Sequence, residues 1–252
     1  MKDLDKKDGF PKDSFVTLAS LEDKNWWFIS RNKILEWLLL KRVKEFDKFL
    51  EIGCGTGFVL NHLSTRFPKA QFFGSELHKE GLDIAKERNK EAHFFNLNAV
   101  HMNERESYNV IGAFDVLEHI KEDEVVIANL FRAIKIKGYL IITVPQHPFL
   151  WSTLDQQSFH CRRYTRNEIM GKLTKCGFKI QYASSFVSLL LPLMFLSRKF
   201  QKRSRYDIAS ELKISPLVNF LLKQVMNFEI LLLRIGIRWL AGGSLLILAQ
   251  KT

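Results

Sequence analysis

Glu51-Ile52-Gly53-Cys54-Gly55-Thr56-Gly57 follows a short apolar run (Phe46, Phe49, Leu50, Ile52) and leads into a helical pattern through Val59, Leu60 and Leu63. A strand that ends in a glycine turn and opens a helix is how open α/β sheets build a nucleotide pocket. The glycines let the backbone approach a ligand at φ values that a Cβ forbids. In the dinucleotide pattern G-x-G-x-x-G the third glycine falls where Phe58 stands, and here Gly57 comes one residue early. The spacing therefore points to a nucleoside without a pyrophosphate.

The next runs narrow the reading. Residues 70–74 are followed by Ser75-Glu76-Leu77, which reads as a second strand with a carboxylate at its carboxyl end. An acidic residue roughly 20 positions past the first glycine is placed to accept both ribose hydroxyls, and Glu76 fills that position. A third run, 93–97, ends at Asn98-Ala99, where a side-chain amide is placed to meet an adenine edge. A fourth, 110–114, enters Asp115-Val116-Leu117-Glu118-His119-Ile120, and a fifth, 138–144, stops at Pro145. Five strands separated by helical patterns predict an α/β fold, a doubly wound parallel sheet with helices on both faces.

E-I-G-C-G-T-G, Glu76, F-D-V-L-E-H-I and Lys137-Gly138-Tyr139-Leu140, in this order, resemble the class I S-adenosylmethionine-dependent methyltransferases. The resemblance covers 26–187 and a final strand at 243–251. It implies a Rossmann-like, seven-stranded sheet, mostly parallel, whose last strand runs antiparallel between strands five and six. It also implies S-adenosyl-L-methionine as cofactor. Gly53, Cys54, Gly55 and Gly57 would line its methionine half, Glu76 would hold the ribose, Leu77, Asn98 and Ala99 would flank the adenine, and Phe114 would close the pocket. Glu51 and Asp115 complete the expected cofactor set. Trp26-Trp27-Phe28-Ile29-Ser30-Arg31 is also similar to the family, where an arginine before the first strand can meet the cofactor carboxylate. Arg31 suits that role because a guanidinium binds a carboxylate bidentately. The alternative for the aromatic residues is ordinary packing of a leading helix.

With 252 residues, 46% of them hydrophobic, the chain can bury a full core as one α/β domain. Residues 26–187 and 243–252 are expected to form the methyltransferase domain, 1–25 a flexible arm, and 188–242 a helical insertion before the last strand. Cys54, Cys161 and Cys176 share no metal or redox spacing, which points to structural thiols in a reducing, cytoplasmic setting. Residues 1–14 are polar and mixed in charge, so they do not read as a signal peptide.

The formal charge of +11 and the insertion qualify this picture. Neighbouring strands usually connect through a few residues, so so long an insertion needs a purpose. Its first part, 186–196, is almost wholly apolar, and Arg198, Lys199, Lys202, Arg203 and Arg205 follow closely. Its second part, 216–240, reads as one long helix. Asn219, Lys223, Asn227, Arg234 and Arg238 form a stripe roughly 100° wide, and apolar residues cover most of the rest. Such a helix is too apolar for an ordinary surface position, yet neither run approaches the roughly 18 uninterrupted residues of a membrane span. The insertion thus reads as a lid, as an element at the edge of an anionic membrane, or as a dimer surface, and the membrane-edge lid is the favoured expectation. This would make the protein peripheral at the inner face of the membrane. Glu229 falls on the apolar side and is expected to pair with Arg234 or another insert arginine.

The implied chemistry is in-line displacement at a sulfonium, for which the protein aligns the nucleophile and excludes water. An oxygen nucleophile also loses a proton and calls for a base. His119, just beyond strand four, and His160, after strand five, are candidates on the carboxyl side of the sheet. The loop that carries His160 gathers Asp155 as a further catalytic candidate, with Trp151, Arg162, Arg163 and Tyr164 facing the substrate; the arginines suit a carboxylate or phosphate. L-W-S-x-x-D and H-x-R-R-Y are similar to a recurring signature of one bacterial subgroup of these enzymes. The bland reading is that the arginines tie the loop to carboxylates and Tyr164 packs against the next helix.

Asp115 to His119 is similar to the E-x-L-E-H run of the polyprenyl-phenol O-methyltransferases of ubiquinone synthesis, where acidic and histidine side chains have been assigned a divalent ion. Asp115 is shorter than the glutamate of that family, and Glu118 suits the start of a helix, so no metal is assigned. The leading expectation is an O-methyltransferase acting on a small lipophilic or lipid-linked acceptor. A nucleic-acid methyltransferase is the alternative raised by the charge. It is disfavoured because the basic cluster adjoins apolar helices instead of a groove with stacking aromatics, and strand four lacks an N-P-P-Y type signature. A non-catalytic partner subunit is disfavoured by the complete glycine turn with Glu76.

Overall fold

The computed structural model describes residue 11, residues 14–200 and residues 213–252. The apolar runs form β1 (Lys48–Ile52), β2 (Gln71–Glu76), β3 (His93–Asn96), β4 (Tyr108–Phe114) and β5 (Ile134–Pro145), followed by β6 (Phe178–Phe186) and β7 (Ser244–Lys251). They make one seven-stranded sheet in the order β3-β2-β1-β4-β5-β7-β6. β1 to β5 pair in parallel, and β7 runs antiparallel to both β5 and β6. This is the expected seven-stranded, mostly parallel topology, with the last strand inserted between the fifth and sixth.

Side chains alternate across a strand, so each strand feeds two cores. Leu50, Ile111, Ala113, Leu245 and Ile247 enter one; Phe49, Val110, Phe114, Leu246 and Leu248 enter the other. The helices α3 (Phe58–Arg66), α4 (Lys79–Arg88), α5 (Asp123–Ala133) and α7 (Arg166–Lys175) provide the cover for a sheet that is apolar on both faces.

Two further helices roof the carboxyl edge. α1 (Ser14–Leu21) lies within the segment expected to be a flexible arm, and its Phe15 is buried. Asn25 caps α2 (Trp26–Leu38) by accepting from the Trp27 N–H. A short α6 (Thr153–Gln157) sits in the loop after β5, and α8 (Leu191–Phe200) and α9 (Pro216–Arg234) belong to the insertion.

The insertion differs from expectation in four respects. α9 ends at Arg234, not Leu240: Gly236 takes φ +105, a conformation suited to glycine, and Trp239 forms a bridge with Ser185. Among the described residues Glu229 meets no arginine; its Oε2 accepts the backbone N–H groups of Ser188 and Leu189, each at 2.9 Å. Backbone donors at the end of β6 thus satisfy one oxygen of the buried carboxylate, while Oε1 has no partner among the described residues. Although shorter than expected, α9 is more continuously apolar than the expectation allowed: its 19 residues, at mean hydropathy 1.3, are long and apolar enough to cross a membrane by length and composition.

The polar stripe, finally, serves the domain. Asn219 accepts from Trp26 N and donates to Lys24 O, and Asn227 accepts from Lys33 Nζ, so these side chains pin α9 along α2. The outward arc carries Leu217, Phe220, Leu221, Phe228 and Leu231, all exposed. The side chain of Lys199, together with Lys202, Arg203 and Arg205, falls outside the described residues.

Candidate cofactor and acceptor site

The glycine turn joins β1 to α3 with Gly53 at φ +63 and Gly57 at φ +71. A Cβ at Gly53 would stand 2.7 Å from Val116 Cγ2, and one at Gly57 would stand 2.9 Å from Ala85 Cβ. The turn is therefore pressed between the end of β4 and α4. Glu76 holds it from β2: its carboxylate accepts from Gly55 N at 3.0 Å, Leu77 N at 2.7 Å and His78 N at 3.0 Å. Cys54 is buried, and its N–H donates to Ser75 O.

Glu51 lies beneath the turn, buried, and its Oε2 has no hydrogen-bond partner among the described residues. Burial pushes its pKa up to about 8 against the opposing charge of Arg31. Arg31 comes from α2 and stacks on Trp27 and Phe28, 4.7 and 5.6 Å from the ring centroids. Its Nη1 donates to Asp115 Oδ2 at 2.7 Å, to which Thr143 Oγ1 also donates. Its Nε is buried without a partner. Three of the expected cofactor residues, Glu51, Arg31 and Asp115, thus meet at the carboxyl ends of β1 and β4.

Leu77 is exposed beside the turn, Asn98 accepts from Val100 N, and Ala99 is buried behind it. Phe114 does not close the pocket. It shares a strand face with Val110, so alternation turns its ring into the core over Gly112 and Phe49. A trough of about 600 Å³ lined by Leu77, His78, Phe94 and Asn96 runs along the outer edge of this region, and no residue of the glycine turn lines it.

Sequence reasoning missed the contribution of α1. Phe15 lies 3.7 Å from where a Cβ on Gly55 would stand, and Glu22 accepts from Thr56 Oγ1 at 2.6 Å while pairing with Arg88. This helix is fastened directly onto the glycine turn. Phe15, Leu18 and Leu21 recur at three-residue spacing, a signal hidden by the polar residues before them.

The expected acceptor side is the loop 146–164, which lies over the end of β4. Asp155 is fully buried and accepts from Ser152 N, Ser152 Oγ, His160 Nδ1 (2.9 Å) and Arg163 Nε (2.8 Å). Burial alone raises its pKa, but the His160 hydrogen bond and the Arg163 guanidinium hold it well below the usual carboxylate range. His160 packs edge-on against His119, with ring centroids 4.6 Å apart. Burial first, and then the charge of His160, push His119 down to about 3. His119 is therefore neutral at physiological pH and a weak base. Glu118 is buried, neither carboxylate oxygen has a hydrogen-bond partner among the described residues, and burial and Asp115 raise its pKa well above the ordinary value.

The residues expected to face a substrate mostly hold this loop in place instead. Arg162 pairs with Asp123 Oδ1 at 2.9 Å and donates to Lys121 O. Arg163 is committed to Asp155 and Gln146 O. Tyr164 is fully buried, donates to Asp123 Oδ2 at 2.7 Å, and has its pKa raised by burial and by that bond. Internal carboxylates satisfy these donors because the loop is anchored against α5. Trp151 remains partly exposed.

Residues 50–140 match a family model described as a methyltransferase domain. The chain is 32% identical over 114 residues to a malonyl-[acyl-carrier protein] O-methyltransferase of Bacillus anthracis, a match that covers 44% of this chain and 39% of that relative. Phosphoethanolamine N-methyltransferase 2 of Haemonchus contortus, in complex with S-adenosyl-L-methionine, aligns at a TM-score of 0.63 and 19% identity over 96% of this chain and 57% of that one. The [4+2]-cyclase SpnF aligns at 0.64 and 15% identity over 98% and 99%. At these identities the structural likeness is one of fold. The matched methyltransferase-domain segment, the sheet order and the glycine turn together support an S-adenosylmethionine-dependent methyltransferase, and the match spans less than half of the curated relative. Fold by itself does not choose the reaction, as the cyclase illustrates.

Proposed function

We propose that the protein transfers the methyl group of S-adenosylmethionine to an oxygen of a small lipophilic or lipid-linked acceptor at an anionic membrane surface. The observation that carries the oxygen assignment is the Asp155–His160 pair at 2.9 Å, on the acceptor side of the pocket. Asp155 fixes the ring through Nδ1 and leaves Nε2 to accept a proton. In the transfer an acceptor O–C bond forms and the S–C bond breaks with its electron pair kept by sulfur. The acceptor proton passes to His160 Nε2. Arg31, Glu51 and Glu76 hold the donor, and α1 and α2 exclude water from it. The name of the Bacillus anthracis relative supports oxygen as the acceptor atom. The exposed apolar arc of α9 supports a lipid surface.

The test is calorimetry followed by product analysis with methyl-labelled donor and a lipid extract. S-adenosylmethionine is expected to bind where nicotinamide cofactors do not, and label is expected in an oxygen-linked methyl group of a lipid product. His160→Ala is expected to slow turnover about 10²–10⁴-fold with donor affinity nearly unchanged. Failure to bind the donor overturns the whole reading, and a nitrogen-linked product overturns the oxygen assignment.

A further inference from the structure

We infer that Glu118, His119 and His160 form a binding site for a borderline divalent transition-metal ion. One ligand atom from each lies within 4.8 Å of the other two. Ligands at about 2.1 Å around a tetrahedral ion stand roughly 3.4 Å apart, a contraction within reach of side-chain rotation. Glu118 is the second, independent observation. A carboxylate that is 1% exposed, with both oxygens unpartnered among the described residues, incurs a desolvation cost that an ion at this position would offset.

The surroundings are also those of a ligating pair of imidazoles. Histidine ligands commonly give their second nitrogen to a carboxylate or backbone carbonyl, which fixes tautomer and ring orientation. His160 does so with Asp155 Oδ1 at 2.9 Å, and His119 is hydrogen-bonded to the backbone of Ser158. Asp155 is fixed in turn by Arg163 and Ser152. Asp115 takes no part, since Arg31 and Thr143 occupy its Oδ2. The ligand set therefore differs from the Asp115, Glu118 and His119 grouping of the sequence, and His160, 41 positions beyond His119, completes it. Two nitrogens and one oxygen suit Zn²⁺, Co²⁺ or Fe²⁺ better than Mg²⁺ or Ca²⁺, which favour oxygen.

The consequence for catalysis rests on the proposed oxygen methylation. Proton acceptance and coordination are alternative uses of His160 Nε2. With the ion bound, a coordinated acceptor hydroxyl would be acidified and would lose its proton to solvent water, with no transfer to His160. Ion binding itself needs no methyl donor, so it is tested separately from that reading.

The experiment titrates chelator-treated full-length protein with Co²⁺, and then with Zn²⁺, without donor. One equivalent of Co²⁺ is expected to give visible d–d bands that Zn²⁺ abolishes. Glu118→Gln and His160→Ala are each expected to weaken binding more than tenfold, and Asp155→Asn, acting through the His160 ring, about 10–100-fold. No d–d bands in the unsubstituted protein, or unchanged affinity in folded Glu118→Gln and His160→Ala, overturns the site. Should Glu118→Gln fail to fold, the bands of the unsubstituted protein and the His160→Ala affinity still decide.

Discussion

Replacing Phe220 and Phe228 together by serine removes two rings from the outward arc of α9. The two residues are 56% and 55% exposed. A phenylalanine covers about 200 Å² when fully buried, so each ring leaves roughly 110 Å² for a bilayer to cover. At about 25 cal/mol per Å², full coverage of both is worth roughly 5.5 kcal/mol. An interfacial helix immerses only part of its face, and half of that figure, about 2.8 kcal/mol, corresponds to roughly a hundredfold in partition coefficient. The assay is sedimentation with phosphatidylglycerol-rich vesicles at low and high salt. The unsubstituted protein is expected to pellet at low salt and to release in part at high salt, as screening weakens the basic residues. The double variant is expected to partition about a hundredfold less while keeping its melting temperature, because both rings point away from the core. An unsubstituted protein that stays in the supernatant at low salt refutes the reasoning, as does a double variant that partitions within a few-fold of it.

Two further outcomes concern the pocket. Glu51 has a folded-state pKa raised to about 8 from the ordinary glutamate value of 4.5, so its contribution to stability is complete below pH 4.5 and is lost as pH rises through about 8. Urea unfolding across that window is expected to show the unsubstituted protein losing stability relative to Glu51→Gln, by a few kcal/mol at most; parallel curves would contradict the assignment. Gly57→Ala combines a left-handed backbone, about 1–2 kcal/mol, with overpacking against Ala85, about 1–3 kcal/mol. Thermal unfolding is expected to fall by about 5–15 °C, and an unchanged melting temperature would mean that α3 and α4 do not meet as closely as the geometry requires.

Much of the fold was legible because its determinants are local. Glycines at 53, 55 and 57, the carboxylate at 76 and five apolar runs each declare themselves over a few residues, and the pairing of those runs follows from topology rules. The site was legible only in part. Glu51, Arg31 and Asp115 were recognised one by one, but that Arg31 meets Asp115 depends on α2 crossing the end of β4. Arg162, Arg163 and Tyr164 had the chemistry of a substrate site, yet the anchoring carboxylates Asp123 and Asp155 use most of their donors. α9 misled for a similar reason. A wheel shows which residues share a stripe without showing which way the stripe faces, and the polar one faces α2.

Read by itself, the sequence determined five parallel strands and a glycine turn for a nucleoside, because strand periodicity and turn chemistry act between near neighbours; the remaining strands and the methyl donor followed from the resemblance of its motifs to the methyltransferases. Tertiary structure alone decided which charges neutralise one another and which stay unpaired. That choice turns on distances between residues far apart in the chain: Glu118 and His160 lie 42 positions apart and meet only where the loop after β5 folds back over the end of β4.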